Sequence, residues 1–424
     1  MRCSRGPGFR LMCAMAGLAL LAAACGSSKK KATTSTAAQA AAGVRGVTDS
    51  EIVLDIVASI TSPQGAALAG FEDGARARIE DANRSGGVNG RRLRLANVYD
   101  DGSDATKNLD SVHRAVLNDK PFAILATAPT FLPQSSDYLA QNHVPYVGWG
   151  FVPGYCKSDW GFGFNGCLIS RDTANESLIM GISDALGKKV SDLKYAFQAG
   201  DDQSGHDGNR IYDFLVKKLG GNVVYNQASV PTQTQTTDYS PFAQAIIATR
   251  PDVVIVSTAF GDAIGLTGTL RAKGYRGAIM NFVAYVPGLL QTSANVAQAL
   301  NGAYVNSQIP PQESQSAAIK RITDDLTAIG KAPFVTLGGA IAYWSADVLI
   351  HMIDKVGHSL TPETFQSTIN GGFHYQPDEA GGIGPLDYPK NHNEASPCAA
   401  ILKVSGTAYT PVLPFKCYTN IAVT

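Results

Sequence analysis

The chain lacks an excess of charge of either sign, with 35 Lys and Arg residues against 35 Asp and Glu residues. It therefore lacks the basic footprint that a nucleic-acid-binding protein needs, and nucleic acid is not an expected partner. It also lacks a long apolar run at its N terminus. The apolar stretch Leu11–Ala24 has fourteen residues, which is too short to span a bilayer as a helix, so this stretch needs another explanation.

Motifs of common enzyme classes are missing too. No Gly-x-x-x-x-Gly-Lys-Ser/Thr sequence is present, so any ATP hydrolysis belongs to a partner. The seven histidines are scattered and form no metal-ligand motif, so neither a metal nor another cofactor is expected. Ser204, His206 and Asp207 are too close in sequence to face one another as a catalytic triad. The glycine-rich segment 161–166 lacks the strand and helix of a dinucleotide-binding loop, and binding is favoured over catalysis.

What the N terminus does contain is the pattern of a bacterial lipoprotein signal. Three arginines precede the apolar stretch, and the segment Leu21–Cys25 reads Leu-Ala-Ala-Ala-Cys. This order is typical of a signal peptide, and the segment resembles a lipobox, in which the cysteine carries the lipid. We predict a signal peptide at 1–24, a lipid-anchor Cys25 with a flexible linker at 25–47, and an extracytoplasmic protein held at the membrane. The alternative is ordinary secretory cleavage after Ala24, with Cys25 unmodified.

The number of cysteines also indicates disulfide bonds in the folded part of the chain. Removing the predicted leader leaves 32 basic residues against 35 acidic ones and takes two of the seven cysteines with it. With Cys25 as the anchor, an even number remains, which in an oxidising compartment favours disulfides. We favour the pairs Cys156–Cys167 and Cys398–Cys417, because each pair would close a short segment of the chain. A zinc site is disfavoured, since no pair has the two-residue spacing of a zinc knuckle.

Apolar β-branched runs alternate with segments of helical period along the mature chain. Residues 51–60 predict a strand, 68–83 a helix and 92–99 a strand, which together form a βαβ unit. Further helices are predicted at 105–118, 133–141, 173–187, 208–219, 240–249, 262–274, 314–328 and 336–356, and further strands at 122–126, 145–148, 193–198, 222–229, 252–257 and 278–282. Two successive blocks of this kind predict an α/β protein with two Rossmann-like lobes, each a parallel sheet covered by helices, joined by a hinge. Such sheets bind ligands beyond the C-terminal ends of their strands.

A series of short motifs runs through the mature chain. The most specific is Gly70–Arg91, which ends in Gly-Gly-Val-Asn-Gly-Arg. The others, in order, are Tyr99–Asp104, Asp201–Gly205, Asp238–Ser240, Pro251–Val254 and Gly384–Leu386. In this order they resemble the type I periplasmic binding proteins of the leucine/isoleucine/valine-binding group, which serve ABC importers. Following that resemblance, we place the first lobe at about 48–170 and 300–356, and the second at about 171–299 and 357–424.

The resemblance implies a cleft that grips an amino acid with hydroxyls, backbone N–H groups and one acidic residue. The acid falls near Val283, where none is present, and the loop that usually supplies hydroxyls after the fourth strand reads Trp-Gly-Phe-Val. A buried ammonium without a counter-charge is costly, so we expect an apolar or aromatic ligand without an α-ammonium in preference to an amino-acid-like one. The predicted ligand-binding residues are the polar Thr61, Ser62, Gln64, Thr130 and Ser204 and the aromatic Phe131, Trp149, Phe151, Phe260, Phe282 and Tyr285.

Two alternatives stay open for this set. Some of the rings pack the lobe interface or the hinge instead, and Asp201, Asp202 or Asp262 supplies a charge if the alignment slips by a few residues. The expected function is that of a lipid-anchored receptor that delivers a small organic ligand to an ABC permease. Closure about a hinge is the expected mechanism, because a ligand that touches both lobes stabilises the closed state. A sensory module would use the same closure, and an enzyme would turn its ligand over.

Overall fold

Strands and helices alternate along the chain in a computed structural model, which describes residues 43–61, 67–232, 234, 236–282 and 284–423. The strands are β1 (Glu51–Ala58), β2 (Arg92–Asp100), β3 (Ala123–Thr127), β4 (Tyr146–Gly148), β5 (Gly161–Gly163), β6 (Thr173–Asn175), β7 (Lys194–Gly200), β8 (Asn222–Val230), β9 (Val253–Ser257), β10 (Ala278–Asn281), β11 (Tyr304–Ser307), β12 (Phe373–Tyr375), β13 (Leu386–Tyr388), β14 (Cys398–Ser405), β15 (Ala408–Cys417) and β16 (Asn420–Ala422). The helices are α1 (Phe71–Arg84), α2 (Ala105–Arg114), α3 (Pro133–Gln141), α4 (Ser177–Leu186), α5 (Gln203–Lys218), α6 (Ser240–Ala248), α7 (Phe260–Ala272), α8 (Leu289–Thr292), α9 (Ala294–Leu300), α10 (Ala317–Ala328), α11 (Leu337–Val356) and α12 (Pro362–Asn370).

The first sheet forms the core of one lobe. Its strands run parallel in the order β2-β1-β3-β4-β5, and β1 is buried almost throughout, as expected for a strand with helices on both faces. Helix α1 crosses α11 so closely that a Cβ on Gly74 would lie 1.9 Å from the carbonyl oxygen of Gly339. Helix α11 is buried nearly all round, because α1, α12 and β12 all pack on it. The helix predicted at 336–356 is therefore a central helix of the fold.

The second sheet has the order β15-β14-β11-β10-β9-β7-β8. Strands β7 to β11 are parallel, whereas β14 runs antiparallel to β11, and β15 antiparallel to β14. The sheet is therefore mixed rather than purely parallel as predicted. The reason is that the C-terminal residues return as a hairpin, turning at Gly406 with φ of +61°, and this hairpin extends the sheet at one edge.

The sheets do not coincide with the predicted lobe boundaries. Strand β11 lies within 300–356, the range predicted for the first lobe, yet it is hydrogen-bonded in the second sheet. Helix α12 lies within 357–424, the range predicted for the second lobe. Its Phe365 ring packs against Phe122 and Phe162 of the first lobe, with ring centroids 5.4 and 5.6 Å apart. The points at which the chain crosses from one lobe to the other depend on pairing between distant segments. Local periodicity in the sequence does not indicate these points.

The structure contains both of the favoured disulfides, Cys156–Cys167 and Cys398–Cys417. The first lies just before the chain leaves the first lobe, and the second joins β14 to β15 at directly opposite residues. The backbone N–H of Cys167 donates to the carbonyl oxygen of Asn391, at 2.9 Å, which lies on another segment between the lobes. The first disulfide therefore braces a segment near the boundary between the lobes, and the second braces the C-terminal hairpin of the second sheet.

Most of the predicted N-terminal leader and linker, including Cys25, lies outside the described residues. The end of the linker, residues 43–47, is described, and Val47 packs against the core of the first lobe. Arg45 donates to the carbonyl oxygen of Val116 at 2.9 Å, so this end is docked rather than free. Within the described part of the chain, no helix has both the length and the apolar composition needed to cross a bilayer.

Candidate functional site

Loops from both sheets meet around a small cavity where parallel strands end. Residues from four places line it: the loop after β4, the loop after β10, the end of β11 with the residues that follow, and the start of α11. The lining residues are Trp149, Phe282, Tyr285, Asn306, Ser307, Gln308, Ile309, Leu337 and Ile341. Three of the predicted aromatic ligand-binding residues are thus brought together here. The cavity volume is about 20 Å³, which has room for about one water molecule.

The Trp149 ring is fixed by a residue from the other side of the cavity. Its Nε1–H donates to Oε1 of Gln308 at 2.7 Å, and the same oxygen accepts from the side-chain amide of Asn165 at 3.1 Å. Gln308 begins the crossing segment, residues 308–316, which links β11 of the second sheet to α10. The polar atom of the indole is therefore occupied, and the ring offers the cavity only apolar surface.

The Tyr285 ring is held by the same crossing segment. Its hydroxyl donates to Glu313 at 2.6 Å and accepts from the backbone N–H of Gln312 at 2.8 Å. Burial, together with the charge of Glu313, raises the pKa of Tyr285 well above its ordinary value. Burial also raises the pKa of Glu313, although the hydrogen bond from Tyr285 opposes this change. Aromatic walls from both lobes are thus tied to one segment between the lobes.

Among the lining residues that the structure describes, none has a charged side chain. The three acids that were alternative sources of charge have partners elsewhere. Asp202 caps α5 by accepting from the N–H of Gly205 at 2.8 Å, Asp262 accepts from the hydroxyl of Tyr239 at 2.7 Å, and Asp201 lies 3.0 Å from His206. Across the described residues, no group of three or more His, Cys, Asp or Glu side chains is arranged to hold a metal ion.

The two predicted threonine anchors, Thr61 and Thr130, contact acids at the end of β2 instead. Thr61 donates to Asp100, and Thr130 donates to the buried Asp101 at 2.6 Å. Burial pushes the pKa of Asp100 upward, but hydrogen bonds from Thr61 and from the backbone of Ile60 and neighbouring residues outweigh it and hold that pKa below its usual value. These hydroxyls hold the loops of the first lobe together. Because each hydroxyl hydrogen is donated to an aspartate, it is not available to a ligand.

The other predicted site residues are dispersed. Phe131 is completely buried in the first lobe, where its ring packs against Tyr146 and Tyr155, so it serves the core rather than the cavity. Phe151 contacts Trp149, with centroids 4.6 Å apart, but does not line the cavity. Phe260 and Ser204 are half-buried at the starts of α7 and α5. Ser62, Gln64 and Val283 lie outside the described residues.

Sequence reasoning missed the residues that β11 and α11 contribute, namely Asn306, Ser307, Gln308, Ile309, Leu337 and Ile341. Strand β11 was not predicted, because its sequence Tyr-Val-Asn-Ser followed by Gln-Ile contains three polar residues in a row and lacks the alternation of a half-buried strand. Four residues form too short a run to stand out. Their position beside the cavity depends on pairing with β10 and β14.

Comparison with known proteins gives a consistent result. The sequence model of a family described as periplasmic binding protein matches residues 52–408. A fatty acid ABC transporter substrate-binding protein from Thermomonospora curvata is 19% identical over 88% of this chain and 94% of its own, with a TM-score of 0.71. A leucine-binding protein from Thermotoga maritima is 16% identical over 87% of this chain and 98% of its own, with a TM-score of 0.67.

A third solved structure holds a ligand. It is an ABC transporter solute-binding protein from R. palustris in complex with 4-hydroxybenzoate, 17% identical over 88% of this chain and 97% of its own, with a TM-score of 0.67. At these identities the likeness shows a shared fold. Among curated protein sequences, none matches this chain.

Proposed function

The chain belongs to the periplasmic binding protein family, and on that premise we propose that its ligand is a small organic molecule with an apolar or aromatic body and no α-ammonium group. The family consists of extracytoplasmic solute-binding proteins of ABC transporters rather than of enzymes. The partner that receives the ligand is then a permease in the membrane.

One observation carries the proposal: the cavity between the lobes has aromatic and aliphatic walls, and none of its described lining residues is charged. An ammonium group buried there would lose its hydration without gaining a counter-charge, which costs several kcal/mol. Ring faces such as those of Trp149 and Phe282 suit an apolar or aromatic body. The relatives that carry fatty acids or hold 4-hydroxybenzoate support this class of ligand, whereas the leucine-binding relative represents the competing class.

Ligand capture would couple to closure through the crossing segment. Trp149 from the first lobe and Tyr285 from the second are hydrogen-bonded to Gln308 and Glu313 of that segment. A ligand that touches both rings therefore fixes both lobes against the segment that joins them. Such a ligand binds the closed arrangement better than the open one, which is the condition for driving closure.

The test is a thermal-shift titration of the purified protein with medium-chain fatty acids, hydroxybenzoates and branched-chain amino acids. We expect the first two classes to raise the melting temperature, since ligand at about a hundred times its Kd adds about 2.7 kcal/mol of stability. Trp149→Ala should abolish most of that increase. The matched control is Trp160→Ala, because Trp160 stacks on His143 with centroids 5.0 Å apart and lies outside the cavity. Stabilisation by leucine, isoleucine or valine alone would overturn the proposed ligand class.

We also propose that Cys25 carries a lipid that anchors the protein to the membrane, as the lipobox-like segment before it predicts. Cys25→Ala is expected to release the protein into the soluble fraction when cells are fractionated. Cys13→Ala, within the leader itself, is the matched control and should leave the protein with the membranes. Equal membrane association of both variants would show that Cys25 is not the anchor.

A further inference from the structure

The side chain of Asn306 is a buried polar group without a protein partner in the cavity wall. Asn306 is 4% exposed, and its Nδ2 has no hydrogen-bond partner in the described structure. Leaving a buried amide donor unpaired costs about 1–3 kcal/mol. Asn306 lines the cavity, so its unpaired donor belongs to the wall of the space that a ligand would enter.

The register of the second sheet fixes the direction of this side chain. Asn281 of β10 pairs with Val305 of β11, so the next row along the strands contains Phe282 and Asn306. In a parallel sheet, residues of one row point to the same face, and successive residues alternate. Asn306 therefore lies on the same face as the Phe282 ring, and Asn281 on the opposite face, where its amide oxygen accepts from Thr267 at 3.1 Å.

Three other polar groups of the lining have hydrogen-bond partners. Trp149 Nε1–H and Tyr285 O–H are bonded to the crossing segment, and the Ser307 hydroxyl donates to the carbonyl oxygen of Ile309 at 2.7 Å. Among the lining side chains, Asn306 is the one whose fully buried donor lacks a partner in the described residues. A ligand atom that meets this end of the cavity would be recognised through Asn306.

Size and charge restrict what that ligand atom is. A cavity volume of about 20 Å³ admits a single small group rather than a whole ligand. A carboxylate there would be buried without a cation, because the lining contains no Lys, Arg or His. An uncharged oxygen satisfies both limits, since it can accept a hydrogen bond from the amide without bringing a charge into the cavity.

We propose that Asn306 Nδ2 donates to an uncharged hydroxyl or carbonyl oxygen at the inner end of the ligand, and that any carboxylate of the ligand stays at the open end of the cleft. This inference rests on the proposed function. It deepens that function by assigning the ligand a polar group at the end remote from its charge. A terminally hydroxylated aromatic or aliphatic acid is the simplest molecule of this class.

The test is calorimetric titration with two pairs of probes that differ by one terminal hydroxyl: 4-hydroxybenzoate against benzoate, and 8-hydroxyoctanoate against octanoate. We expect the wild-type protein to bind the hydroxylated member of at least one pair about tenfold more tightly, the upper range for one hydrogen bond. Asn306→Leu should reduce that preference to less than about twofold. Asn306→Ala is measured alongside, because it removes the amide without adding volume.

Asn281→Leu is the matched control. Asn281 is also completely buried and also has an unpaired Nδ2, but it lies on the other face of the sheet, so the hydroxyl preference should persist in this variant. If wild-type protein binds the probes without a hydroxyl preference, or if both Asn306 variants keep it, the inference fails while the proposed function stands. If the wild-type protein binds none of the four probes, the inference and the proposed ligand class fail together.

Discussion

Replacing Arg78 by Met is expected to lower the free energy of unfolding by about 4 kcal/mol. Arg78 lies on α1 and is 5% exposed, and its partner Asp347 on α11 is 1% exposed. Their Nε and Oδ1 atoms are 2.5 Å apart. Removing the cation leaves a buried carboxylate without its counter-charge, which is the costly way to break such a pair.

Denaturation in urea at pH 7 measures the effect, and α1 supplies its own control. Arg76, two residues earlier, pairs with Glu72 at 2.7 Å, but both side chains are 42% exposed. Arg76→Met should therefore cost less than about 1 kcal/mol. The double variant Arg78→Met/Asp347→Leu should recover part of the loss, because it removes both charges. Equal losses in the Arg78 and Arg76 variants would show that the buried pair does not hold α1 to α11.

Replacing Asp55 by Asn is expected to stabilise the protein at pH 8 by about 3 kcal/mol. Asp55 is completely buried on β1, at a position where the pairing with β2 shifts. Its Oδ1 accepts from the N–H of Asn97 at 3.0 Å, and its Oδ2 has no partner. Burial, and then repulsion by the carboxylate of Asp119, raises the pKa of Asp55 from its usual 3.8 to about 7, although Arg94 acts in the opposite direction.

The direction in which stability changes with pH follows from proton binding by Asp55. Between pH 3.8 and about 7, the folded protein holds a proton on Asp55 that the unfolded chain has released, so stability falls as the pH rises through this window. Above about pH 7 the full cost of the buried charge is present. An Asn side chain carries no charge, and its amide can donate to Asp119, so the advantage of Asp55→Asn should grow from pH 4 to pH 7 and then level off.

Thermal unfolding across that pH range checks the expectation. Asp49→Asn, at an exposed position shortly before β1, is the control and should leave the pH profile of stability unchanged. A constant difference between Asp55→Asn and the wild type at every pH would mean that Asp55 does not take up a proton on folding.

The alternation of strands and helices was predictable because it depends on local periodicity in the sequence. Helix α3 was predicted at 133–141 and has those bounds. Helix α5 was predicted at 208–219 but begins at Gln203, because Asp202 caps the first turn by accepting from Gly205 N–H. Asp is a residue type that often caps the start of a helix, so Asp202 was a candidate cap in the sequence. The glycines that follow it, Gly205 and Gly208, favoured a later start of the helix.

Segments that depend on distant partners were not predictable in this way. The helix predicted at 173–187 begins only at Ser177, because residues 173–175 form β6 and pair with β16 near the C terminus. A segment of three residues has no periodicity of its own. Its conformation is set by a partner about 245 residues away in the sequence, and β11 likewise depends on pairing with the distant strand β14.

The sequence by itself determined the α/β alternation, the disulfide pairs, the family resemblance and three aromatic walls of the cavity, because each depends on residue type and short spacing. The tertiary structure alone decided which polar groups are still free. It paired the hydroxyls of Thr61 and Thr130 with Asp100 and Asp101 at the end of β2, placed Phe131 in the core and left Asn306 Nδ2 without a partner among the described residues. A hydrogen bond or a buried face joins residues far apart in the chain, and only the folded arrangement of those residues decides which donor has a partner and which faces a ligand.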